Sequence, residues 1–157
     1  MKGEIIMQNW EPLLTAIKEK MLIGARITEE DIFICRSARK LFEEYNNHLY
    51  GGELPQTDIF INPFFYGDFG AFDPRGFAWY EESARPAIVL YPQMIESEER
   101  LKEVLLHEMA HEYCHIKGIE DISRRTAQHT AAFAEVCRSH GLCYDENETD
   151  WMNTKLA

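Results

Sequence analysis

The segment His107-Glu108-Met109-Ala110-His111 constrains this chain more than any other. Residues four apart on a helix lie on one face, so His107 and His111 can direct two imidazole nitrogens at one metal ion. Glu108, about 100° further round the helix, can reach a water on that metal. Two histidines, a carboxylate base and an open coordination position are typical of a hydrolytic zinc site.

The residues around this motif predict that its helix is buried. From residue 104 to 110 the apolar side chains fall on nearly every helical face, and a helix of that kind belongs in a core. Its polar side chains would cost several kcal/mol to bury without partners, and a metal ion removes that cost. Ser97 is a suitable N-cap for this helix and Gly118 a suitable C-cap.

The motif alone leaves its register open. A second H-E-x-x-H overlaps the first, from His111 through Glu112 to His115. One such motif would also arise in roughly 3 of 100 shuffled chains of this composition, so it needs support from elsewhere in the sequence.

A third protein ligand is expected, because catalytic zinc sites usually have three. The metzincin pattern is disfavoured, since Cys114 and Lys117 stand where it requires glycine and histidine. The next predicted helix, about residues 126–140, offers two candidates. Glu135 is the only acid in that helix. His129, near its start, is better placed, because the preceding loop is long enough to bring the two helices together.

The rest of the chain predicts an α+β fold. Helices are expected over residues 9–23 and about 29–48, the second capped by Thr28 and ended by Gly51. Three short strands are expected over 57–62, 76–80 and 87–91, forming a small antiparallel or mixed sheet. We expect one domain over residues 1–157, with its core at about 29–142 and an acidic tail at 143–157, in which residues 145–150 are solvated.

Charge and composition limit the kinds of partner and the cellular location that we expect for this chain. The formal net charge is −11, which opposes nucleic-acid binding, because phosphate binding needs clustered Lys and Arg. The sequence shows no signal peptide and no transmembrane stretch, so a cytoplasmic location is expected. Four scattered cysteines form no C-x-x-C pair and predict no zinc knuckle. The sequence indicates no oligomeric state.

Two further segments resemble the SprT-like zinc metallopeptidases, the family that includes the Spartan proteases. His129-Thr-Ala-Ala-Phe133 is similar to the family's H-G-x-x-F segment, whose histidine is the third zinc ligand. The segment at 45–55, ending Gly-Gly-Glu-Leu-Pro, is similar to the family's F-G-G-E-L-P. The resemblance covers roughly residues 29–142.

The resemblance implies a zincin-like single domain: N-terminal helices, a small three-stranded sheet, a buried active-site helix and a following helix carrying the third ligand. It implies that His107, His111 and His129 bind Zn²⁺ and that Glu108 is the general base for peptide-bond hydrolysis. His115 is then not a zinc ligand. The substrates would be proteins or peptides. The alternative is a non-catalytic, zinc-stabilised protein-binding module.

The chain departs from the family pattern in two respects. Thr130 replaces the usual glycine after the third ligand, which affects how closely that part of the chain approaches the metal. The sequence also lacks the cysteines of a zinc ribbon, so the recruitment by DNA that Spartan uses is not carried over.

Overall fold

The computed structural model of the protein describes residues 28–62, 69–76, 85–146 and 154–157. The helix predicted over 9–23 lies outside the described residues, as does the strand predicted over 76–80 apart from Gly76. No helix in the described part of the chain is long and apolar enough to cross a membrane.

Helix α1 spans Glu29–Tyr50 and is fixed at both ends by the predicted caps. Thr28 forms a capping box: its hydroxyl accepts from the Asp31 N–H, and the Asp31 carboxylate accepts from the Thr28 N–H. Gly51 ends the helix with φ of 59°, a left-handed conformation that favours glycine. The buried side of α1 packs on α2 and on β1.

A three-stranded mixed sheet forms one layer of the core, in the order β1-β3-β2. Strand β1 (Asp58–Ile61) pairs in parallel with β3 (Ala87–Leu90), and β2 (Gly70–Asp73) pairs antiparallel with β3. All residues of β1 and β3 are buried, as expected for strands covered on both faces. A short 3₁₀ helix, Pro92–Met94, follows β3.

Helix α2 spans Glu98–Lys117 and is the central element, with Ser97 and Gly118 as its caps. Every residue from 104 to 112 is buried. The helix contacts α1, the sheet, the following helix and the C-terminal strand, which explains why its sequence is apolar on nearly every face.

The region after α2 differs from the prediction. Helix α3 spans Ala131–Ser139, so the expected start at about residue 126 is wrong. The sequence also predicted no strands after this helix, and the described residues there form two. Strand β4 (Leu142–Tyr144) pairs antiparallel with β5 (Thr154–Leu156), and β5 packs against α2. The mixed α+β class is confirmed, with three helices and small sheets among the described residues.

Candidate metal centre

Three histidine side chains meet beside the buried face of α2. The Nε2 atoms of His107 and His111 are 3.1 Å apart, and the Nε2 atoms of His111 and His129 are 3.2 Å apart. Together these residues form a group that could hold a metal ion, with their ligand atoms within 4.8 Å of one another. His107 and His111 are almost fully buried and His129 is partly buried.

The spacing of these nitrogens fits a tetrahedral zinc ion. With Zn–N distances of 2.0–2.1 Å, tetrahedral geometry separates two ligand nitrogens by about 3.3 Å. Neutral imidazoles that turn their lone pairs toward one point repel each other unless a cation lies between them. The donor set, three imidazoles without a thiolate, is also one that zinc accepts in catalytic sites. The residues therefore fit the ion.

Phe133 orders the three rings. It is fully buried in the first turn of α3 and stacks on His111 and His129, with ring centroids 4.4 Å and 4.6 Å away. It meets His107 edge-on at 5.4 Å. One aromatic side chain thus limits the rotation of all three imidazoles, which gives a physical reason for a phenylalanine four residues after the third histidine.

His129 reaches the centre from a folded loop and not from the helix. Ile122 and His129 form an antiparallel bridge, and the Ser123 N–H donates to the Gln128 carbonyl across the same turn. Ala127 adopts a φ of 57°, which breaks the helical path there. Because 126–130 are held by the loop in this way, α3 starts only after His129.

Thr130 supplies the connection between this loop and α3. It is the N-cap of α3, and its hydroxyl accepts from the Phe133 N–H at 3.1 Å. The same hydroxyl donates to the Glu120 carbonyl at 2.6 Å. A glycine could make neither bond, so Thr130 ties the position after His129 to both sides of the loop.

The loop also brings an acid to the centre. The Nδ1 atom of His111 lies 2.7 Å from Oδ2 of Asp121. The hydrogen bond from His111 is the main cause that lowers the pKa of Asp121, so this carboxylate stays ionised at neutral pH. With its proton on Nδ1, His111 presents an unprotonated Nε2 to the centre.

The environment of His129 keeps its imidazole neutral. Burial is the main cause that lowers its pKa from 6.5 to about 4, and the neighbouring His111 lowers it further. Metal ligation requires an unprotonated nitrogen, so the site favours the binding form at neutral pH.

Glu108 lies on α2 between the two histidines and is 5% exposed. Strand β2 crosses the helix close to it: a Cβ added to Gly70 would lie 3.5 Å from the Glu108 Cγ and 2.7 Å from Val104 Cγ1. The absence of a side chain at Gly70 is what allows β2 to approach the helix at this level.

The structure separates the other sequence candidates from this centre. Glu135 is exposed on α3, His115 is exposed near Phe72, and neither belongs to the histidine group. The glutamate of the overlapping motif, Glu112, is buried and hydrogen-bonded to Thr57. The first register is therefore the one whose histidines meet.

Sequence reasoning missed three residues near the centre: Asp121, Thr154 and Tyr144. The Tyr144 ring lies edge-on to His129, with 6.3 Å between centroids. Thr154 contacts His107. Asp121 and the segment Thr154–Leu156 show no local sequence pattern that distinguishes them, so only the fold shows that they lie near the centre.

The model of the SprT-like family matches residues 38–151, a span that contains the three histidines and Glu108. The chain belongs to the SprT-like family. SprT-like proteins are described in general as zinc metallopeptidases. The histidine group of this chain could hold a metal ion and is compatible with that description. Searches of curated proteins and of solved structures found no match to this SprT-like chain.

Proposed function

We propose that this SprT-like domain is a zinc-dependent peptidase in which His107, His111 and His129 hold the ion and Glu108 is the general base. The observation that carries the proposal is the convergence of nitrogens from His107, His111 and His129, together with the buried Glu108 next to His107 on α2. Such a set matches the requirements of metal-assisted hydrolysis, namely three protein ligands and a nearby proton acceptor.

The chain's own residues have distinct tasks in this proposal. Asp121 holds the His111 ring in the tautomer that leaves Nε2 unprotonated, and burial keeps His129 neutral. Glu108 takes a proton from the attacking water and returns it to the departing amine. A zinc ion in this site would lower the pKa of a water toward about 7 and polarise the peptide carbonyl.

We propose that an extended peptide binds beside β2. Strand β2 approaches Glu108 at Gly70, and a turn closed by Gly76 N–H to Asp73 O at 3.2 Å follows the strand. The strand predicted over 76–80 would continue from this turn, and its backbone could pair with a substrate by strand addition.

The decisive experiment is Glu108→Gln with Glu135→Gln as its matched control. Glu108→Gln should keep about one zinc per chain and lose at least a hundredfold in casein cleavage, because it removes the base and leaves the ligands. Glu135→Gln, on an exposed helix face, should keep both zinc and cleavage. A Glu108→Gln protein that cleaves as fast as the parent contradicts this mechanism.

His129→Ala tests the ligand set. We expect zinc content measured after dialysis to fall well below one per chain, because two histidines bind the ion much more weakly than three. An unchanged content would show that another residue, with Glu135 as the sequence alternative, is the third ligand.

The alternative function, a zinc-stabilised binding module, predicts a different result. The parent would bind zinc and lose thermal stability with chelator, yet cleave no protein substrate. Such a module has no need for a buried base beside its ligands, and Glu108 is buried there.

A cytoplasmic location, a single domain over 1–157, protein substrates and the lack of a nucleic-acid partner stay proposals made from the sequence.

A further inference from the structure

The C-terminal strand reaches the metal centre through one side chain. Thr154, the first residue of β5, is fully buried, and its Oγ1 lies 3.2 Å from the Nδ1 of His107. The family match ends at residue 151, so this contact lies beyond the part of the chain that the family describes. Nothing in the SprT-like motifs predicts it.

We propose that Thr154 is a positioning residue for the metal centre, acting through His107. An Nδ1–H that donates to the Thr154 hydroxyl leaves Nε2 unprotonated and turned toward His111 and His129. Asp121 makes the equivalent bond to His111, the second candidate ligand on α2. The two ligands of one helix are thus each oriented from a different part of the chain. The inference rests on the metal centre of the proposed function.

The position of Thr154 is itself fixed by its surroundings. It pairs with Tyr144 in the β4–β5 ladder, and the Ala157 N–H donates to the Gly141 carbonyl at 3.1 Å just beyond. The Cys137 side chain is hydrogen-bonded to the Thr154 side chain. Burial raises the pKa of Cys137 to about 12, so this partner is a neutral thiol at physiological pH. A hydroxyl held in this way can orient a ring.

A purely structural role for Thr154 makes a different prediction. Threonine is β-branched and suits a strand, and valine has nearly the same shape without the hydroxyl. Thr154→Val would therefore keep the strand and remove the hydrogen bond to His107. Thr154→Ser would keep the hydroxyl and remove a methyl group, so the two variants separate shape from hydrogen bonding.

The experiment compares Thr154→Val, Thr154→Ser and the control Lys155→Val, which adds a β-branched residue at an exposed position of the same strand. Zinc affinity is measured by competition with a chromophoric chelator. The His107 Nδ1–H of the zinc-loaded protein is followed by ¹H–¹⁵N NMR. Thr154→Val should weaken zinc binding about tenfold or more and speed the exchange of that proton with water. Thr154→Ser and Lys155→Val should stay close to the parent.

The outcomes separate this inference from the proposed function. A Thr154→Val protein that binds zinc as tightly as the parent, with an unchanged His107 signal, overturns the positioning role. Equal losses in the valine and serine variants also overturn it, since the methyl group and not the hydroxyl would then matter. A parent protein that binds zinc but cleaves no substrate contradicts the proposed peptidase function. The positioning role of Thr154 is still supported in that case if zinc affinity falls in Thr154→Val and not in Thr154→Ser.

Discussion

His107 and His111, the two candidate ligands on α2, are each hydrogen-bonded through the ring nitrogen Nδ1, and their Nε2 atoms face the centre. His111 meets a carboxylate from the loop after the helix, and His107 meets a hydroxyl from the last described strand. Such partners fix the tautomer and the ring angle of a ligand, and their loss typically costs 10- to 100-fold in metal affinity. The geometry of the centre therefore depends on residues far from the motif in sequence.

Asp121→Ala should weaken zinc binding about tenfold, because His111 loses the acceptor that holds its proton on Nδ1. Asp121→Asn retains an oxygen acceptor without the charge, so its loss should be smaller. Chelator competition gives both affinities. If alanine and asparagine bind zinc as tightly as the parent, the 2.7 Å contact does not orient His111.

Glu112 is a second buried carboxyl on α2, and it is hydrogen-bonded to Thr57. Thr57 Oγ1 lies 2.5 Å from Glu112 Oε1 and 2.9 Å from the Pro55 carbonyl oxygen. A hydroxyl has one proton, so Thr57 donates either to the Glu112 carboxylate or to the Pro55 carbonyl, and not to both at once. Burial raises the pKa of Glu112 to about 7, and the hydrogen bond from Thr57 opposes the rise because it favours the ionised carboxylate.

At the scale of single elements, local signals in the sequence were sufficient for α1 and α2. Thr28, Gly51, Ser97 and Gly118 act as the predicted caps, and their effect depends only on neighbouring residues. The burial of α2 also follows from its own apolar pattern. This is why the sequence could place His107, Glu108 and His111 on one buried helix.

The elements that the sequence could not predict depend on distant partners. Strand β2 was missed because its Gly-Ala-Phe-Asp segment shows no alternation, and its pairing with β3 determines it. Strand β5 was missed for the same reason, as its partner β4 and the side of α2 stabilise it. The late start of α3 follows from loop hydrogen bonds that no helical propensity reports.

Gly70→Ala tests the close crossing of β2 over α2. The added Cβ would meet Val104 Cγ1 at 2.7 Å and the Val89 carbonyl oxygen at 3.1 Å, and neither a buried β-branched side chain nor a paired strand backbone can move easily. We expect a loss of about 1–3 kcal/mol in the free energy of unfolding, measured in urea. The proposed peptidase activity should fall as well, because β2 would move relative to Glu108.

A double-mutant cycle provides the control for that prediction. Val104→Ala alone should destabilise the protein by leaving a cavity. Combined with Gly70→Ala, it should cost less than the sum of the two single changes, since the smaller side chain makes room for the new Cβ. Strict additivity would show that the contact with Val104 is not what makes Gly70 necessary.

For the whole molecule, two groups, the buried Glu112 and the partly buried His129, give the metal-free protein opposite responses to pH. The folded state raises the pKa of Glu112 from 4.5 to about 7, so the stability that its protonated form contributes is present below pH 4.5 and lost as pH rises through 7. The folded state lowers the pKa of His129 from 6.5 to about 4. The stability that the neutral imidazole contributes is therefore present above pH 6.5 and lost as pH falls through 4. The two trends oppose each other between these limits.

Glu112→Gln and His129→Gln should separate the two responses. Relative to the parent, the free energy of unfolding of Glu112→Gln should increase as pH rises from 4.5 to 7, because the parent loses a contribution that glutamine cannot lose. Relative to the parent, that of His129→Gln should increase as pH falls from 6.5 to 4. Urea unfolding in the presence of chelator measures both, and a difference that stays constant with pH contradicts the corresponding assignment.

The parallel pairing of β1 with β3 determines when the sheet can be completed during folding. Residue 58 faces residue 87, and the chain between them includes β2, which itself pairs with β3. The β2–β3 contacts close a shorter loop and cost less chain entropy than the β1–β3 contacts. Strand β1 should therefore join last, after β2 and β3 have paired, and mutations in β1 should change the unfolding rate more than the folding rate.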